Sequence, residues 1–150
     1  IQQDEEKLQR AKVVHQHDID ELAKRCYSYF ENFKMQYQND SAAYYLEQRV
    51  RLDTVNIQWL NEYSLFLTNY LAEYRNAIEC CDRALQLSIK RYGVKHDSTA
   101  TLYNNMGYIY SQLGATEDAV KIFNRIIRDT KDKTEFLNSY ILASNNLGQS

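Results

Sequence analysis

Apolar side chains recur every three or four residues along most of this chain, the spacing that gathers them on one side of an α-helix. Over residues 19–37 the stripe is Leu22, Ala23, Cys26, Phe30, Phe33 and Tyr37, and Gln38-Asn39-Asp40-Ser41 follows as a polar turn with a ready cap. Residues 42–52 predict a second helix. It stops at Asp53-Thr54-Val55-Asn56, where short polar side chains compete for backbone hydrogen bonds. A third, residues 57–71, carries Trp59, Leu60, Tyr63, Phe66, Leu67 and Tyr70.

The fourth helix, residues 75–92, buries Ala77, Ile78, Cys81, Ala84 and Leu85, with Ile89 at the margin of the stripe. Gly93 ends it as a left-handed cap. Asp97 or Ser98 caps a fifth helix that reaches Leu113 before Gly114. Thr116 caps a sixth, with Glu117 and Asp118 complementing its positive end, and that helix ends near Thr130. A last helix spans 134–148.

Residues 1–18 are polar, yet Leu8, Ala11 and Val14 keep a spacing of three and lead toward Ile19. They either belong to one long amphipathic helix or precede a fresh helix capped by Asp18, with Glu21 completing a capping box. The second arrangement is adopted here. It makes 1–18 a polar helical extension and 19–150 the main domain. Zero prolines and four glycines in 150 residues leave few helix breakers, so the class expected is all-α.

The pattern also repeats. Ala77-Ile78-(x)2-Cys81-(x)2-Ala84-Leu85 returns 42 residues later as Ala119-Val120-(x)2-Phe123-(x)2-Ile126-Ile127, and Tyr103-Asn104-Asn105-Met106-Gly107 returns after 41 as Ser144-Asn145-Asn146-Leu147-Gly148. A period of this size points to stacked helical hairpins, none of which buries its apolar side alone.

These residues resemble a tetratricopeptide repeat. Tyr103, Gly107, Tyr110, Gly114, Ala119 and Phe123 fall in register on six of its sized sites, while Ile126 replaces the second alanine and Lys131 the usual proline. The long period and the segment Arg83-Ala84-Leu85-(x)7-Gly93-(x)2-His96-(x)3-Ala100-(x)3-Asn104-Asn105 are similar to the kinesin-light-chain type of this repeat and to bacterial arrays of it. The resemblance implies a right-handed superhelical stack of antiparallel hairpins at 19–52, 57–92 and 98–130, plus the terminal helix. In the middle hairpin Trp59 takes the large site, but two residues are inserted before Ala77, which a longer first helix would absorb. In the first hairpin Ala43 and Val50 take the alanine sites, with Glu47 where a large residue is usual.

The resemblance also implies a protein-binding role on the concave side. There Asn61, Asn105 and Asn146 share one place in successive repeats, and an asparagine amide both donates and accepts, so it can grip the N–H and C=O of an extended peptide. Thr101, Asn104, Tyr108, Ser111 and Gln112 complete the groove, Asn145 stands beside Asn146, and Ile57, Leu60 and Leu67 supply an apolar stretch on the preceding hairpin. The competing account is that the asparagines bond neighbouring helix backbone or water. None of the groove residues is basic, which departs from arrays that clamp a terminal carboxylate and argues against a receptor for chaperone tails.

Composition narrows the field further. A net charge of -2 gives no general pull toward nucleic acid, and Lys121, Arg125 and Arg128, although at helical spacing, fit a solvated outer face. Thirteen tyrosines suit interhelix packing better than base stacking. His15 and His17 diverge by about 200° on a helix and make no chelate. Cys26, Cys80 and Cys81 form no spaced framework and are expected as reduced, packed thiols.

No metal, cofactor or catalytic constellation is expected: GxSxG, HExxH, a phosphate-binding glycine loop and CxxC are all missing from the sequence. No apolar run spans a bilayer, so the compartment expected by default is the cytoplasm, although Ile1 leaves room for an upstream targeting segment. The function expected is a module that holds a peptide or helical segment of a protein partner. The rival is a structural array that self-associates through Phe136, Leu137, Tyr140, Ile141 and Leu147 of its last helix, and an RNA-binding array is the third possibility.

Overall fold

The computed structural model describes residues 2–114 together with Glu117, Val120, Lys121 and Asn124. Most of the sixth predicted helix and all of the last, with Asn145 and Asn146, therefore lie outside the described residues. Those described form helices and turns only: α1 (Gln2–Met35), α2 (Asn39–Leu52), α3 (Ile57–Phe66) continued by a π-helical turn (Leu67–Leu71), α4 (Tyr74–Tyr92) and α5 (Asp97–Leu113). The chain gathers into two units that divide after Thr54.

The first unit is the hairpin of α1 and α2. Ala23 and Phe30 of α1 are buried with Ala42, Ala43, Leu46 and Val50 of α2, whose small residues let the helices approach closely. Tyr45 stacks on both Tyr29 and Phe33, with ring centroids 4.9 and 5.6 Å away, and the Arg49 guanidinium lies 4.7 Å from the centre of the Tyr27 ring. Leu22, expected on the packed stripe, is exposed. α1 is 34 residues long and α2 only 14, so a short partner leaves much of the longer helix uncovered.

Two expectations for this unit are corrected. Asp18 caps nothing, because α1 runs through it without a break: no glycine or proline interrupts the segment, and Gln16 Nε2 donates to Asp20 Oδ1 across the supposed boundary at 3.0 Å. α2 starts at Asn39 rather than Ala42, and its cap, Gln38, makes no side-chain capping bond. The turn is formed instead by Tyr37 in the left-handed region, φ 59°, with Gln38 N–H donating to Phe33 O at 2.9 Å.

In the second unit α4 packs against both α3 and α5. Its Ala77, Cys81, Ala84 and Leu85 are buried, as the stripe predicts, while Ile78 is only half-buried. Opposite them lie Leu60, Phe66 and Leu67 on one side and Ala100, Leu102, Tyr103, Met106 and Ile109 on the other. Asn56 caps α3 by accepting from Trp59 N–H at 3.0 Å.

The two predicted inserted residues are found at the end of α3. The left-handed residue that closes α5, Gly114, follows Tyr103 by eleven positions, whereas Ala72, which closes the π turn, follows Trp59 by thirteen. The helix reaches two residues further past Trp59 than α5 does past Tyr103, and its wider last turn takes part of the excess. Ala72 has φ 54°, and the N–H groups of both Ala72 and Glu73 donate to Leu67 O.

The α4–α5 turn departs from expectation at both ends. Gly93 has φ 94° and ψ 164°, a region open to glycine but outside the left-handed helical well named above. The α5 cap is His96 rather than Asp97 or Ser98. Its Nδ1 accepts from Ser98 N–H at 3.1 Å, and its ring stacks on Tyr92 at 4.6 Å, which holds the imidazole in place to accept. Beneath the turn, the buried Thr99 hydroxyl donates to Gly93 O at 2.8 Å and so must accept from Ser88 Oγ, also at 2.8 Å.

Candidate functional site

The candidate site is the side of the second unit where α3 and α5 run next to each other. Asn105 and Asn61, both half-buried, meet there: Asn105 Nδ2 donates to Asn61 Oδ1 at 2.9 Å. Further along, Tyr108 Oη donates to Asn69 Oδ1 at 2.7 Å. Asn69 sits in the π turn, on the exposed side of a segment whose Leu67 and Thr68 are buried. The face is polar and carries no Lys, Arg, Asp or Glu among Asn61, Asn69, Thr101, Asn104, Asn105, Tyr108, Ser111 and Gln112.

Behind this face the packing fixes the helices. Gly107 and Ala100 are buried where α5 meets its neighbours, and the Cys81 thiol reaches the Leu102 carbonyl at 3.6 Å. Burial pushes the Cys81 thiol up to about 12, with Asp82 and Cys80 adding to the effect, so it stays a protonated thiol at neutral pH rather than the thiolate that reactive cysteines present. Cys26 in the first unit is also raised, by burial, against a lowering from Arg49. Among the described residues no cluster of His, Cys, Asp and Glu could hold a metal ion, and no helix is long and apolar enough to cross a membrane.

A family model, the tetratricopeptide repeat, matches residues 57–131, half of the chain. The chain belongs to the tetratricopeptide repeat family. Its fold agrees with the N-terminal domain of stress-induced protein-1 (STI-1) from C. elegans: TM-score 0.61 at 14% identity, covering 83% of this chain and 96% of that one. The MamA protein is a more distant structural match, with TM-score 0.39, 16% identity and coverage of 86% and 84%. No curated protein matches the chain.

Within the repeat frame, the structure brings Asn61, Asn105 and Tyr108 onto one face, with Asn104 and Ser111 half-buried and Thr101 and Gln112 exposed on the same helix. Thr101 turns its hydroxyl to Asp97 O at 3.0 Å. Two apolar groove residues are corrected: Leu60 and Leu67 are 2% and 1% exposed and belong to the repeat core, which leaves half-buried Ile57 of the three. Neither competing account of the asparagines anticipated their pairing with each other. Asn69 was missed altogether, since its place on this face depends on the π turn. The polar pair Thr68-Asn69 in the run Leu65-Phe66-Leu67-Thr68-Asn69-Tyr70-Leu71 was the available signal.

In the first unit a cavity of about 550 Å³ is lined by Tyr27, Phe30, Glu31, Lys34, Met35 and Tyr37. It contains none of the predicted groove residues, and the Lys34 ammonium already stands 5.8 Å from the Phe30 ring centre.

Proposed function

We propose that this repeat protein holds an extended peptide segment of a protein partner on the α3–α5 face, through the Asn61–Asn105 pair. Tetratricopeptide repeats are in general protein–protein interaction modules, and this family membership supplies the class. The observation that carries the finer reading is the direct amide–amide bond. It consumes only the Asn61 oxygen and one Asn105 N–H, so both N–H groups of Asn61 and the Asn105 oxygen remain as one donor set and one acceptor held in fixed relation. Peptide backbone needs that combination, and a preorganised amide spends less ordering entropy on binding than a free one. The absence of acidic and basic side chains from this set suits a ligand recognised through its main chain. The kinesin-light-chain type of repeat and a cytoplasmic setting are part of the same proposal, as is a non-catalytic role.

A library of random peptides selected on the full chain, followed by anisotropy titration of those enriched, tests this. Asn105→Ala is expected to weaken the selected peptides at least tenfold while the protein stays folded. Unchanged affinity, or no enrichment at all, ends the proposal.

A further inference from the structure

We infer that Asn69 and Tyr108 form a second grip on the same peptide, and that the π turn Leu67–Leu71 exists to bring Asn69 into line with Asn61. The inference rests on the peptide-binding reading above. Along an uninterrupted α-helix, eight residues separate side-chain directions by about 80°, which would carry Asn69 off the face that Asn61 occupies. A π turn holds more residues than an α turn, so each residue inside it advances by a smaller angle and Asn69 swings back toward Asn61. The outcome is visible: Asn61 and Asn69 both bond residues of α5, and those two, Asn105 and Tyr108, are three positions apart on one helix face.

The chemistry of the second pair matches the first. Tyr108 uses its only proton on the Asn69 oxygen, which leaves both N–H groups of the Asn69 amide as donors and a phenol lone pair as an acceptor. The axial rise from 105 to 108 is roughly 4.5 Å and from 61 to 69 roughly 12 Å, so the grips are separated by an intermediate length. Extended peptide advances roughly 3.3 Å per residue, and two or three residues bridge that distance. The ligand is therefore a short extended segment read at two main-chain points, with little dependence on its charge and little dependence of its affinity on salt.

Four variants of the full chain, titrated with the selected peptides, test this, with circular dichroism melts as the folding control. Asn69→Asp is the decisive one, since it keeps the oxygen that Tyr108 needs but removes both amide donors. The expected result is a melting temperature close to wild type and affinity about tenfold weaker, with Asn69→Ala and Tyr108→Phe weaker by a similar factor. If Asn105→Ala weakens binding but Asn69→Asp and Tyr108→Phe leave it unchanged, the second grip is wrong and the first stands. If Asn105→Ala is also silent, the peptide-binding reading fails with it.

Discussion

Asn105 Nδ2 donates to Asn61 Oδ1 at 2.9 Å, joining equivalent places of two successive repeats across 44 residues of chain. Because both side chains are half-buried, the bond has a measurable stability of its own. A double-mutant cycle of Asn61→Ala and Asn105→Ala in urea unfolding is expected to show a coupling of about 0.5–1.5 kcal/mol. Additive effects would mean the bond does not persist in solution.

In the hydroxyl chain from Ser88 through Thr99 to Gly93 O, both side chains are fully buried and the Gly93 end is half-buried. Thr99→Val keeps the shape but strands the Ser88 hydroxyl and the Gly93 carbonyl, and the expected cost is about 1–3 kcal/mol. Thr99→Ser keeps the hydroxyl and should recover most of it. A larger loss from Thr99→Ser than from Thr99→Val would show that the methyl, not the hydrogen bond, matters.

Ala72 is an exposed non-glycine residue at φ 54°, ψ 31°. A left-handed L-residue is strained by roughly 1–2 kcal/mol, part of which glycine gives back through its freer unfolded chain. Ala72→Gly is therefore expected to raise the unfolding free energy by about 0.5–1 kcal/mol. A lower midpoint in denaturant would contradict the assigned backbone.

Cys81 provides a pH test. Its thiol titrates near 9.0 when unfolded and near 12 when folded, so between those values the native state holds a proton that the unfolded state has lost. Stability attributable to this group is complete below pH 9 and falls as pH rises toward 12, with a slope approaching about 1.4 kcal/mol per pH unit. Cys81→Ser should remove that part of the alkaline slope. Rapid labelling of Cys81 by a thiol reagent in the native protein at pH 8 would contradict its burial.

Much of the fold was legible because helical spacing is a local property. The stripe Ala77-Cys81-Ala84-Leu85 and the stops at Gly93 and Gly114 needed only neighbours three or four residues away. Helix starts were less legible: Asp18 looks like a cap but lies inside α1, while His96, an uncommon cap, works because Tyr92 stacks on its ring. The repeat register placed Asn61 and Asn105 on equivalent sites, yet their mutual bond depends on how closely α3 and α5 approach, which spacing alone does not report.

What the sequence determined by itself is the helical class, the hairpin repeat and the alignment of Asn61 with Asn105, since periodicity and sized residues in register specify these without reference to distant atoms. What only the tertiary structure decided is which polar groups meet. Leu60 and Leu67 left the expected groove for the core, and Asn69 entered the candidate face through a turn wider than the α-helix. For Asn69 the physical reason is phase: a change of a fraction of a residue per turn is invisible in composition, but it redirects the side chains that follow.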